Sequence, residues 1–146
     1  LASDPRFDVF SSPALGFSVE YLQDGMVMEG EEGVVFLYSD LVSQVKREKL
    51  ETGQTIQQAG EAFLMELDAS EPKVLKEQPL DLSEGNAYMW LLDVDAYHTG
   101  ALLVRAEGEW VGIVYVATGL SDTDFVNDIM IPIGIHMLGS FRFLHP

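Results

Sequence analysis

Cysteine is absent from this sequence, which excludes a disulfide framework, a thiolate zinc site and a cysteine nucleophile. The redox compartment stays open for the same reason. Histidine is nearly as scarce, with only His98, His136 and His145. None accompanies a G-x-S-x-G elbow or another nucleophile setting, so the sequence offers no support for hydrolytic catalysis. His136 falls in an apolar helical stretch and reads as a histidine at its solvent edge, and His145 is one residue from the end. Basic residues are also few: 8 Lys and Arg stand against 24 Asp and Glu, a formal net charge of −16. Such a field repels nucleic acid and anionic membrane, because phosphate binding needs clustered Lys and Arg. The one basic cluster, Lys46, Arg47 and Lys49, is followed by Glu51 and has no aromatic platform before it. It reads as a solvated loop or helix end. A long apolar run is missing as well. The longest candidate, Ile129 to Leu138, is interrupted by Pro132, Gly134 and His136, well short of the roughly 20 residues a membrane-spanning helix needs. The chain begins at Leu1 instead of Met, which points to a trimmed tag, signal peptide or lipoprotein leader and leaves a lipid anchor upstream open.

What is present is a chain of 146 residues, 47% of them hydrophobic, without a low-complexity block or linker. That size and composition suit one folded domain over residues 1–146. Residues 1–15 mix Asp4, Pro5, Ser11, Ser12 and Pro13 with a few apolar side chains and read as an irregular leading segment. Alternation in Phe17-Ser-Val19-Glu-Tyr21 predicts a strand with one buried face. The continuous apolar run Val34 to Tyr38 predicts a strand covered on both faces. Gly25, Gly30 and Gly33 lie between them and suggest that the two form a hairpin.

From Thr55 the period lengthens. Ile56, Ala59, Phe63, Leu64 and Leu67 recur at helical spacing, Thr55 and Gln58 have the form of a capping box, and Pro72 marks a stop. Four strand-like segments follow at 73–82, 87–94, 101–106 and 110–118, with turn residues Gly85 and Asn86 after the first and Glu107-Gly108-Glu109 before the last. Short connections between sequential strands predict an antiparallel meander. A second helix is expected from Ser121, capped through Asp124 and burying Phe125, Ile129, Met130, Ile133 and Met137. Pro132 predicts a kink or a division in it. Gly139 reads as its stop and 140–144 as a closing edge strand. A sheet that is apolar on both faces needs a helix on each. The expected class is α+β, a three-layer α/β/α sandwich with a central, mainly antiparallel sheet.

The segments GFSVEY, GVVFLYS, PKVLKEQPLDLSEGNAYMWLL and ALLVRAEGEWVGIVYVATG, with a last helix running into GSFRFL, together resemble the PsbP/Mog1-like family over nearly the whole chain. YLQDGMVME departs from it, lacking the Pro and Trp common after the first strand of that family. The resemblance implies a binding or assembly module of the kind that supports photosystem II, regulates a small GTPase, or occurs among secreted bacterial proteins and lipoproteins. It carries no catalytic residue and no cofactor. The function expected is therefore a non-enzymatic accessory protein outside the cytoplasm, holding a protein partner, with a basic one favoured by the acidity. The alternative is a small-molecule or metal-binding domain with its pocket between the sheet and a helix.

Three groups of residues are candidates for sites. Asp93, Asp95 and His98, spaced D-x-D-x-x-H at a strand end, have the ligand types for one cation, and the plainer reading is a polar loop completed by Gly100. Glu29, Glu31 and Glu32 read as a hairpin tip that is either solvated or a docking knob for a basic partner. Trp90, Tyr97, Trp110 and Tyr115 read chiefly as core. Trp110 directly follows a turn, so it is the one expected at a sheet rim in reach of a partner.

Overall fold

The computed structural model describes residues 6–67, 73–82, 86–95, 97–119 and 122–144. Seven strands form one antiparallel sheet in the order β3-β4-β5-β9-β8-β7-β6: β3 (Met26–Glu29), β4 (Gly33–Leu37), β5 (Val42–Lys49), β6 (Lys73–Leu80), β7 (Ala87–Asp93), β8 (Thr99–Glu107) and β9 (Trp110–Thr118). A second antiparallel sheet has the order β1-β2-β10, from β1 (Phe7–Ser12), β2 (Phe17–Leu22) and β10 (Arg142–Phe143). Helix α1 (Ile56–Glu66) covers one face of the large sheet. Helix α3 (Ile131–Ser140) and the small sheet cover the other. This is the α/β/α arrangement around an antiparallel sheet that the sequence predicts.

Alternation divides the core into two faces. In β7, Trp90 and Leu92 turn to α1 and pack with Phe63, Leu102 and Ile113. Ala87 and Met89 turn the other way, to Leu103, Val114, Met137 and Leu138. Each large side chain buried in this way contributes roughly 1.5–3 kcal/mol. The capping box of α1 is present as read, with Gln58 N–H donating to Thr55 Oγ1 at 3.1 Å and Thr55 N–H donating to Gln58 Oε1 at 2.9 Å. Gly60 lets the helix sit close on the sheet, since a Cβ there would lie 2.2 Å from Trp90 Cη2. The meander β6 to β9 is also as expected, and its last turn places Gly108 at φ +62°.

Several expectations are corrected. Residues 7–12 of the leading segment are a strand, because every residue of β1 pairs along the full length of β2, from Phe7↔Leu22 to Ser12↔Phe17. The strands at 17–22 and 33–37 do not form a hairpin. β3 intervenes and pairs with β4, while β2 belongs to the second sheet. The basic cluster is no solvated loop: Lys46, Arg47 and Lys49 lie in β5, paired with β4 and β9 near the middle of the large sheet. Their charge hid the strand, since Val42, Ser43 and Val45 carry too little apolar character to outweigh it.

The second helix begins with Asp122, whose carboxylate accepts from Asp124 N–H at 2.9 Å; Ser121 lies outside the described residues. One α turn, α2 (Thr123–Phe125), leads into a π turn over Val126–Met130 and then α3. Pro132 occupies the first turn of α3, where its missing N–H costs least, so the proline is accommodated by a wide turn before it. Ile129 is 45% exposed. The buried stripe runs through Val126, Met130, Ile133 and Met137, and Ile129 stands about 100° off it. Gly139 does not end the helix; Phe141 is the C-cap. The closing strand is the pair Arg142–Phe143, on the edge of the small sheet. The expected stop at Pro72, the turn at Gly85 and His145 fall outside the described residues.

Arg105 explains how the helix end is fixed. It is 2% exposed, and its Nη2–H donates to the carbonyl of Phe141 at the end of α3, where the helix dipole favours a cation. Opposite it, Gly112 leaves room for the Phe141 ring, which a Cβ would approach to 2.8 Å.

Candidate functional site

The α1 side of the large sheet is covered only in part. Helix α1 packs on β7, β8 and β9 and reaches β5 through Phe63 and Glu66, which lie against Lys46, so β4 and β3 continue the sheet beyond it. Val34 and Phe36 of β4 point into the opposite core. Val35, Leu37 and the β3 residues Met26 and Met28 are thereby directed to the α1 side. The register sets them in two rows, Met26-Leu37-Val42 and Met28-Val35-Gln44. Met26 is 63% exposed, Met28 52% and Leu37 37%. Among the described residues this is the one place where several exposed apolar side chains stand together on a sheet.

Acidic residues border this surface. Gly30 N–H donates to Gly33 O at 2.8 Å and closes a tight turn that carries Glu31 and Glu32 at its tip. Glu32 lines both a groove of about 330 Å³ with Met28, Val35, Gln44 and Lys46, and an adjoining one of about 340 Å³ with Glu48 and Glu66. Lys46 lies under this border, only 6% exposed. Its Nζ is 2.7 Å from Glu48 and 3.4 Å from Glu66, and 5.1 Å from the Phe63 ring centroid. Burial pushes its pKa down, but Glu48 and Glu66 outweigh burial and hold the ammonium above its ordinary range. The lysine is therefore already neutralised from within, and the rim keeps an excess of carboxylate.

The predicted site residues are distributed unevenly around this surface. Glu31 and Glu32 stand at the tip as read, whereas Glu29 accepts from the Ser12 hydroxyl at 2.9 Å and is tied to β1. Trp110 is half-buried at the start of β9 and packs against the α3-side core. The Arg47 guanidinium lies 4.2 Å from its ring centroid. Trp110 thus belongs to the opposite face from Met28, and the structure does not join it to the glutamates. Trp90 and Tyr115 are buried, while Tyr97 is 79% exposed on the loop after β7.

In that loop Asp95 and His98 meet, and Asp93 is left at the strand end. Asp95 Oδ1 accepts from Tyr97 N–H at 2.7 Å and lies 2.8 Å from His98 Nδ1. The Tyr97 amide, then the His98 ring, lower the Asp95 pKa. With Val94 N–H donating to His98 O at 3.0 Å, this is a self-contained Asx turn. Among the described residues no three acidic or histidine side chains form a group that could hold a metal ion.

Two features escaped the sequence. Glu20, His136 and Ser140 come together, with His136 Nε2 at 3.0 Å from Glu20 Oε1 and the imidazole stacked on Phe7 at 3.7 Å. The Ser140 hydroxyl donates to Met137 O and accepts from Glu20 N–H, both at 3.0 Å, so it serves the backbone and not the imidazole. The second is an open cleft of about 610 Å³ between the start of α1 and β6–β7, lined by Gln54, Thr55, Leu80, Asn86 and Tyr88 among others. Neither could be found by spacing, since each joins residues far apart in the chain.

No family model and no curated protein matches this chain. Solved structures similar to it include the following two. A Bacteroides thetaiotaomicron protein matches with a TM-score of 0.52 at 13% identity, over 96% of this chain and 49% of that one. The solution structure of cyanobacterial PsbP from Synechocystis matches with a TM-score of 0.67 at 13% identity, over 97% of this chain and 95% of that one. With that TM-score and near-complete coverage of both chains, the chain has the PsbP-like fold.

Proposed function

We propose that this protein is a non-enzymatic accessory module that holds a protein partner on the acidic-rimmed surface of β3–β5. The observation that carries the reading is the coincidence of exposed Met26, Met28 and Leu37 with Glu31, Glu32, Glu48 and Glu66. Exposed apolar clusters rimmed by charge are the usual form of a protein-binding patch. The likeness to PsbP, a fold the sequence associates with assembly roles, points the same way. So does the chemistry of the histidines. His98 and His136 are each held by a carboxylate, and among the described residues no hydroxyl is poised on either.

The resemblance to secreted and lipoprotein-type proteins favours a place outside the cytoplasm. Among the described residues no helix is long and apolar enough to cross a membrane. The small-molecule alternative has its best support in the cleft beside α1, but Thr55 there is already committed to the capping box and the cleft is open to solvent. The metal alternative would rest on Asp93, Asp95 and His98, of which only two converge.

A photo-crosslinking residue placed at Met28 in the protein's native cells tests the reading. One discrete adduct is expected, weakened by high salt and by Glu31→Lys with Glu32→Lys. Val9, 68% exposed on β1 of the small sheet that covers the opposite face, is the control position. Equal adducts from both positions, or none from Met28, would remove the support.

A further inference from the structure

We infer that the bare half of the sheet is a lane for a basic amphipathic helix of the partner, lying beside α1; this rests on the partner-binding reading above. Width is the first argument. Neighbouring strands are about 4.8 Å apart, so from β5, where the side chains of α1 end on Lys46, to the β3 edge is about 10 Å, the diameter of one helix with its side chains. Helix α1 occupies the corresponding lane over β7–β9. The five residues of β4 extend about 17 Å, which the middle ~11 residues of a helix of about 18 residues would cover.

The second argument is the direction of the apolar groups. Met26, Met28, Val35 and Leu37 all point up from the sheet, where a helix would lie. An added strand at the β3 edge would instead use backbone groups, and β3 has only four residues to supply them. Methionine side chains also conform readily to an incoming apolar surface.

Charge selects the partner. Two cations line the border, Lys46, which is bound by Glu48 and Glu66, and Arg47, whose guanidinium lies over the Trp110 ring, while Glu31 and Glu32 leave the carboxylates in excess. Lys and Arg flanking the apolar stripe of the incoming helix would meet these carboxylates. A second copy of this chain fits poorly, because each copy carries a net charge of −16 and would set like rims together.

The test uses two displayed libraries selected against the full chain. One consists of 18-residue helical peptides with a fixed Leu/Ile stripe and randomised flanks, the other of extended peptides of equal composition. Helical clones with Lys or Arg flanks are expected to be enriched. Met28→Asp should weaken them at least tenfold, Glu32→Lys with Glu48→Lys about threefold to tenfold at low salt, and Val9→Asp on the opposite side not at all. Amide shifts on binding should concentrate at Val35, Gln44 and Lys46, and a proline in the middle of the peptide should abolish them. Enrichment of extended clones alone, with shifts confined to β3, overturns the helix and leaves partner binding at this surface standing. Helical clones indifferent to Met28→Asp, or no enrichment from either library, also overturn it. The crosslinking result at Met28 decides the broader reading separately.

Discussion

Two halves of one sheet face meet different fates in this molecule. Over β7–β9 the face is closed by α1, with Phe63 4% exposed and Gly60 allowing contact with Trp90. Over β3 and β4 the same face continues with Met, Val and Leu and stays exposed, because α1 reaches only as far as Lys46 of β5 through Phe63 and Glu66. The two edges differ in the same sense. At the β6 edge, Val74 and Leu75 are exposed, but Lys73, Lys76, a register shift between Val74 and Lys76, and Pro79 guard the strand. Lysine, bulges and proline are common devices against strand pairing. The β3 edge, Met-Val-Met-Glu, has none of the three. One side of the sheet is thus finished as surface, and the other keeps exposed apolar side chains and an unguarded edge.

The largest effect that separates the halves is thermodynamic. Phe63→Ala should lower stability by about 3–5 kcal/mol in urea denaturation, as a cavity in a closed core does. Met28→Ala should stay within about 0.5 kcal/mol, as for an exposed site. Similar losses would mean that the bare half is closed after all.

Next comes the contrast of edges. Lys76→Val with Pro79→Val removes the guards from β6 and should raise the weight-average mass in sedimentation velocity severalfold at the highest concentrations tested. Met26→Lys with Met28→Lys should leave that mass equal to or below wild type. If the β6 variant sediments like wild type, those residues are not guards.

A pH effect marks how the bare half is anchored. Tyr38, just after β4, donates its hydroxyl to Leu22 O at 3.0 Å and lies against Gly25, before β3. Burial raises its pKa from 10.0 to about 12. The folded state therefore keeps the proton that the unfolded chain releases, so this contribution is complete below pH 10 and is lost between pH 10 and 12. Tyr38→Phe should flatten the fall of stability in that window, with the residual slope from Lys46, Tyr88 and Tyr115, all also raised, unchanged. An identical slope in the variant would show that Tyr38 titrates normally.

The smallest effect is at Asp24, the lead into β3, which holds φ at +69°. Asp24→Gly should raise stability by about 0.5 kcal/mol by relieving the left-handed backbone. A loss of stability would show that the aspartate has a local role there.

Legibility followed the strength of periodic signals. The α1 capping box, the alternation of β7 and the meander turns could be read because each is set by neighbours within a few residues. Strand β5 could not, since Lys46-Arg47-Glu48-Lys49 looks solvated until Lys46 is seen beneath Glu48 and Glu66. Strand β1 was hidden because its partner, β2, decides its conformation. Of the candidate site, the glutamates at the tip were visible and Met26 and Met28 were not. Their apolar character reads as core in any strand, and exposure depends on where α1 comes to rest.

By itself the sequence determined an acidic α+β chain without cysteine or a nucleophile setting, because composition and local periodicity need no tertiary partner to be expressed. The tertiary structure alone decided which apolar residues stay uncovered. That depends on one helix being wide enough for only half a sheet, a fact of packing between segments distant in the chain.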